Sequence, residues 1–266
     1  MENGKNLLFL ICFLTGSIQI GLTQEKNPIQ LIQQMEQALG GWEKLYALKD
    51  VEFTYDYAYP TQGIKDLSTE RYIFEGEHSW AKYTTHQINV LKDQDGEVIQ
   101  CYDGKKASIA LNGKQLDQAE AIGGTHFLRK ANYFWFVMMF KLDDPGTEHR
   151  YIGQETIDGI TYDKVGVSYN AAITEKAQND AYVIFINPAT KLVDRFFFSL
   201  PAMGVNEPVL LMKVEYEEIN GVKLPLKRYV FQPGEDGKPQ TEPFLVQTSS
   251  NLKFNNGFQA DDLSLF

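Results

Sequence analysis

The 266-residue chain carries 35 Asp and Glu against 25 Lys and Arg, a formal net charge of −10 at pH 7. That balance disfavours nucleic acid and anionic lipid headgroups as partners, because both are bound through an excess of Lys and Arg. Of its two cysteines, Cys12 lies in an apolar leader, so Cys101 is left alone and the fold must be held by burial and hydrogen bonding rather than a disulfide.

The leader has three parts: Lys5, an apolar run from Leu7 to Leu14, then small and weakly polar residues up to Gln24. This is the pattern of a secretory signal, so residues 1–24 are read as a signal peptide cleaved between Ser17 and Gln24, which places the mature chain in the periplasm or outside the cell. A lipoprotein signal centred on Cys12 is opposed by bulky Ile11, where a small residue is expected. Residues 25–266 contain no low-complexity linker and no long internal repeat, and are read as a single domain with no integral membrane segment after cleavage.

Asn27-Pro28 opens the first helix, with Asn as the cap and Pro at the first position, where its missing N–H costs nothing. Leu31, Ile32, Met35 and Leu39 form its apolar face, Gly40-Gly41 ends it, and a short turn from Trp42 to Ala47 follows. From Val51 the period becomes two. Val51, Phe53, Tyr55, Tyr57 and Tyr59 alternate with Glu52, Thr54, Asp56 and Ala58, predicting a strand with one aromatic face. Asp95-Gly96, Asp103-Gly104 and Asn112-Gly113 then mark hairpin turns, since both central positions tolerate positive φ.

The longest segment without a turn signal follows. Gly123-Gly124 are expected to break it, Thr125 to cap a helix running from His126 to Leu142, and Asp143-Asp144-Pro145-Gly146 to stop that helix. Its end, Tyr133 to Phe140, is apolar throughout and far shorter than the roughly 20 residues of a membrane-spanning helix, so it is expected to be covered by the chain or by a ligand. Hairpins resume through Asp158-Gly159, Asn187-Pro188 and Asn220-Gly221, with Phe196 and Phe198 on one face of their strand. The reading is α+β: a strongly curved antiparallel sheet of roughly ten strands forming an unclosed half-barrel, with an N-terminal helix and a central helical lid or plug.

No reaction is specified. The four histidines lack the spacing of a helical zinc site, Asp93 to Glu97 resembles a calcium loop but lacks the closing glutamate, and no nucleophile elbow or phosphate-cradling glycine loop occurs. Neither catalytic residues, nor a metal, nor a cofactor is therefore assigned. Met138 and Met139 beside Phe134, Trp135 and Phe136 are the strongest hint, because methionine adapts to variable apolar partners.

Three segments resemble the periplasmic lipoprotein carriers of the LolA/LolB-like fold and exported proteins that share it. They are Ala38-Leu39-Gly40-Gly41-Trp42 before the first strand, Tyr102-Asp103-Gly104-Lys105, and Val214 to Pro225 with its Asn-Gly-Val-Lys-Leu-Pro turn. The resemblance implies an unclosed barrel holding acyl chains beneath a helical lid. It carries no ligand residue over to this chain. The expected function is non-enzymatic binding or carriage of a lipid or acylated protein, with Phe134, Trp135, Met138, Met139, Phe53, Tyr55, Phe196 and Phe198 lining the acyl site. Two other readings stand beside it: a surface interaction module with a filled core, and a hydrolase or isomerase using His126 or His86 with a carboxylate at the barrel mouth.

Overall fold

A computed structural model describes residues 26–174 and 179–265; the expected signal segment lies outside them. Helix α1, Pro28–Leu39, is capped by the Asn27 side chain, which accepts from the Ile29 N–H at 3.1 Å. Its predicted face, Leu31, Ile32, Met35 and Leu39, is buried. Gly40 ends the helix at φ +114, and a Cβ there would stand 2.4 Å from the Gly221 carbonyl oxygen. Positive φ and this close approach both require glycine. A short α2, Trp42–Ala47, leads into the sheet.

Thirteen strands occur among the described residues, more than the roughly ten expected from turn signals. They are β1 Asp50–Tyr59, β2 Ile64–Ile73, β3 His78–His86, β4 Val98–Tyr102, β5 Ala107–Leu111, β6 Lys114–Gln115, β7 Thr147–Ile157, β8 Ile160–Tyr169, β9 Tyr182–Ile186, β10 Val193–Leu200, β11 Val205–Ile219, β12 Val222–Phe231 and β13 Leu245–Phe254. The strand that the turn signals did not place is β6, whose two residues are too few to show periodicity in sequence.

All the pairings are antiparallel, and the spatial order is β6-β5-β4-β3-β2-β1-β13-β12-β11-β10-β9-β8-β7. The chain therefore starts in the middle of the sheet, walks out to one edge at β6, and returns inward from the opposite edge at β7. The sheet is not closed; it forms an open half-barrel, as the sequence predicted. Crossing from β6 to β7 means traversing the sheet, and α3, Ala119–Val137, makes that crossing. Its apolar end is thereby laid against the inner face, where burial of carbon surface contributes roughly 25 cal/mol per Å².

Three expectations about α3 are corrected. The helix runs unbroken through Gly123 and Gly124, so Thr125 lies inside it, and its hydroxyl donates back to the Ala121 carbonyl at 2.8 Å instead of capping. Each glycine costs about 1 kcal/mol in a helix interior, and side chains further along, buried against the sheet, offset that cost. The helix also stops at Val137; Met138–Phe140 form a 3₁₀ turn that delivers both methionines into the core. Nor is the apolar end covered on every side, since Phe134 and Trp135 stay partly exposed.

Candidate functional site

The N-terminal half of α3 is fastened to the sheet by polar groups. Glu70 on β2 and Arg129 on α3 are ion-paired with both side chains fully buried. Ser68 donates to one Glu70 oxygen at 2.8 Å and Tyr72 to the other at 3.1 Å. Arg129 also donates to Tyr83 at 2.7 Å and to Gln100 at 3.2 Å, and Gln100 reaches Thr125 at 3.1 Å. Burial alone would lower the Arg129 pKa, but the Glu70 carboxylate outweighs it and holds the guanidinium charged. Sequence reasoning missed this cluster. Its signal was available: Thr125, Arg129, Asn132, Tyr133 and Phe136 recur at helical spacing and are all buried.

The second half of α3 is held by rings. Phe136 stacks on Phe53 with centroids 4.9 Å apart, and meets Tyr72 edge-on at 5.5 Å. Trp135 stacks on Phe196 at 6.1 Å and meets Phe198 edge-on at 5.2 Å, while Phe134 lies 6.3 Å from Tyr182. All eight residues singled out from the sequence thus meet in one apolar cluster between α3 and the inner face. Phe53, Tyr55, Met138, Met139, Phe196 and Phe198 are at most 4% exposed, and Phe134 and Trp135 form a partly open lip. A guest reaching the buried six has to move rings or α3 itself.

A second polar feature lies in this hollow, on the central strands. Arg228 of β12 occupies an inward position in the run Leu224, Leu226, Arg228, Val230 and is 2% exposed. It donates to the Trp135 carbonyl at 2.5 Å and to the Tyr55 hydroxyl at 3.4 Å. The Trp135 carbonyl belongs to the last turn of α3, where carbonyls lack helical partners, so this bond partly caps the helix. Burial pushes the Tyr55 phenol up to about 12, with Arg228 opposing it.

A cavity of about 530 Å³ lies elsewhere, between Ile88 to Gln94, the β4 and β5 residues Gln100 and Ile109, and the start of α3 at Glu120 to Thr125. It touches none of the eight aromatic and methionine residues. Beside it, the His86 ring nitrogens sit 2.8 Å from the Val90 carbonyl and 2.9 Å from the Gly96 carbonyl. His126 packs edge-on against Tyr102, and burial followed by Lys130 lowers its pKa. Neither histidine hydrogen-bonds a carboxylate among the described residues, so the acid–base pairing expected of a hydrolase is not assembled there. Among the described residues, no three His, Cys, Asp or Glu side chains gather as a metal ion would need, and no helix is long and apolar enough to cross a membrane.

No protein-family model matches the chain, and comparison with curated proteins gives no match. Solved structures do resemble it. A DUF1329 family protein from Desulfovibrio piger matches with a TM-score of 0.53 at 12% identity, over 90% of this chain and 98% of the other. A Vibrio parahaemolyticus domain named for outer membrane lipoprotein sorting matches with a TM-score of 0.52 at 10% identity, over 89% and 96%. A LolA superfamily protein from Nitrosomonas europaea matches with a TM-score of 0.50 at 10% identity, over 90% and 98%. The chain therefore has the LolA/LolB-like fold, as the three sequence segments implied.

Proposed function

We propose that this protein is a non-enzymatic binder or carrier for a lipid or the acyl chain of an acylated protein, acting in the periplasm or after secretion. The observation that supports it is the layer of rings and methionines between α3 and the curved sheet, with Phe134 and Trp135 open at its lip. Aromatic rings and thioethers can repack around a flexible chain, and each methylene taken from water contributes about 0.8 kcal/mol. The fold is shared with a protein named for lipoprotein sorting and with a LolA superfamily protein, which agrees with such a role. The predicted leader agrees with export.

The dense burial of Met138, Met139 and Phe196 also favours a solid core, with the outer surface as the working part. One experiment separates the two. Native mass spectrometry of gently purified mature protein, followed by titration of the delipidated protein with a fluorescent fatty acid, is expected to show bound lipid and saturable uptake weakened by Met138→Ala. Absence of both would leave the solid-core reading.

A further inference from the structure

We propose that the hollow contains a seat for a compact oxyanion, and hence that its ligand is a single-chain amphiphile with a carboxylate or phosphate head. The inference rests on the acyl-binding reading and names the ligand class more closely. Its basis is a group of buried polar atoms left without partners. The Nε of Arg228 and the Oγ of Ser249 are buried and make no hydrogen bond among the described residues, and the Gln247 amide, whose Oε1 acceptor is likewise unpaired, offers an N–H donor to an anion only when rotated by half a turn. All three residues are at most 4% exposed.

The sheet register brings them together. Arg228 pairs directly with Gln247 across β12 and β13, and Ser249 pairs with Tyr55 across β13 and β1. Directly opposed residues share a face and lie about 4.5–5.5 Å apart at Cβ. Tyr55 accepts from Arg228, leaving its own O–H free to point at the same place. Three strands thus contribute three donors, Arg228 Nε–H, Ser249 O–H and Tyr55 O–H, around one spot beneath the end of α3.

Apart from the face of the Tyr55 ring, 5.9 Å from the guanidinium, the charge at that spot meets no side-chain carboxylate among the described residues. Arg228 forms no ion pair among the described residues, and the acid that acts on Tyr55, Glu70, has both oxygens taken by Arg129. The Trp135 carbonyl supplies only the partial negative charge of a helix C-terminus, about half a unit. A buried guanidinium with an unused N–H gains most from a full anion, through charge-assisted hydrogen bonds. The net charge of −10 works over the outer surface and disfavours an anionic bilayer; it does not neutralise this internal cation.

The test uses delipidated full-length mature protein and titrates hexadecanoate, hexadecyl phosphate and hexadecanol, which share a chain and differ in the head. At least one anion is expected to bind about tenfold or more tightly than the alcohol, and which one identifies the head. Arg228→Met is expected to abolish that preference while hexadecanol still binds. Because Arg228 also holds Trp135, Gln247→Leu with Ser249→Ala is the companion variant. It leaves that bond in place and is expected to cut anion affinity about threefold or more with hexadecanol unchanged. Equal binding of all three ligands by the unaltered protein overturns the seat and leaves the acyl-binding reading standing. No binding of any of them overturns that reading, and the seat falls with it.

Discussion

The Glu70 carboxylate on β2 and the Arg129 guanidinium on α3 form an ion pair from which water is fully excluded, with Ser68, Tyr72, Tyr83 and Gln100 saturating its outer atoms. It fixes where α3 lies along the hollow, and so which of its rings face β1 and which face β10. Removing one partner strands a buried charge. Arg129→Met is therefore expected to destabilise the protein by about 3–5 kcal/mol in urea denaturation, and Glu70→Leu with Arg129→Met by less than the sum of the single changes.

The ring layer has a tight part and a loose part. Phe136 is 2% exposed and stacked on Phe53, whereas Phe134 sits at the open lip. Phe136→Ala is expected to cost about 3–5 kcal/mol by leaving a void. Phe134→Ala should cost less than about 2 kcal/mol by the same denaturation measurement.

Gly123 has a helical backbone and open space where a Cβ would go. Gly123→Ala is expected to stabilise the protein by about 0.5–1 kcal/mol, since alanine loses less chain entropy on entering a helix. A raised midpoint in thermal unfolding checks this; a lowered one would mean that the segment needs to open there.

Acid should weaken the attachment of Lys26, the first described residue, to β8. Burial raises the pKa of Asp163, but hydrogen bonds from Lys26, Gln154 and Tyr151 outweigh it and leave the carboxyl below its ordinary value. A carboxylate with a depressed pKa contributes stability above its unfolded pKa and loses it as the pH falls through the folded one. The melting temperature is thus expected to drop below about pH 4, and Asp163→Asn to flatten that drop. Lys26 is half exposed, so the effect should not exceed about 1 kcal/mol.

Cys101 is buried and unpaired, and burial pushes its thiol up to about 12. Thiolate is the reactive form, so the native protein should resist Ellman's reagent at pH 8 and react fully once unfolded in guanidinium.

The amino-acid sequence by itself determined the elements that announce themselves locally. Asn27-Pro28 and Gly40 bounded α1, the two-residue period from Val51 to Tyr59 set β1 and its inner face, and the aromatic run before Asp143 marked a segment that needs cover. The half-barrel class followed from counting strands and asking what fills them. Local pattern misplaced the start of α3, because two glycines signal a break when read alone, and only contacts made further along the helix outweigh them. What the tertiary structure alone decided was which distant residues share the hollow. Tyr55, Arg228, Gln247 and Ser249 come from three strands separated by more than 150 positions at the extreme and become neighbours through the pairing of β1 with β13 and of β13 with β12. The alternation Leu224, Leu226, Arg228, Val230 places an arginine among apolar inward positions of β12, a signal the sequence reading did not use. That the Arg228 charge stands without a carboxylate partner among the described residues is a property of the assembled sheet, because charge balance in a core depends on which strands lie side by side.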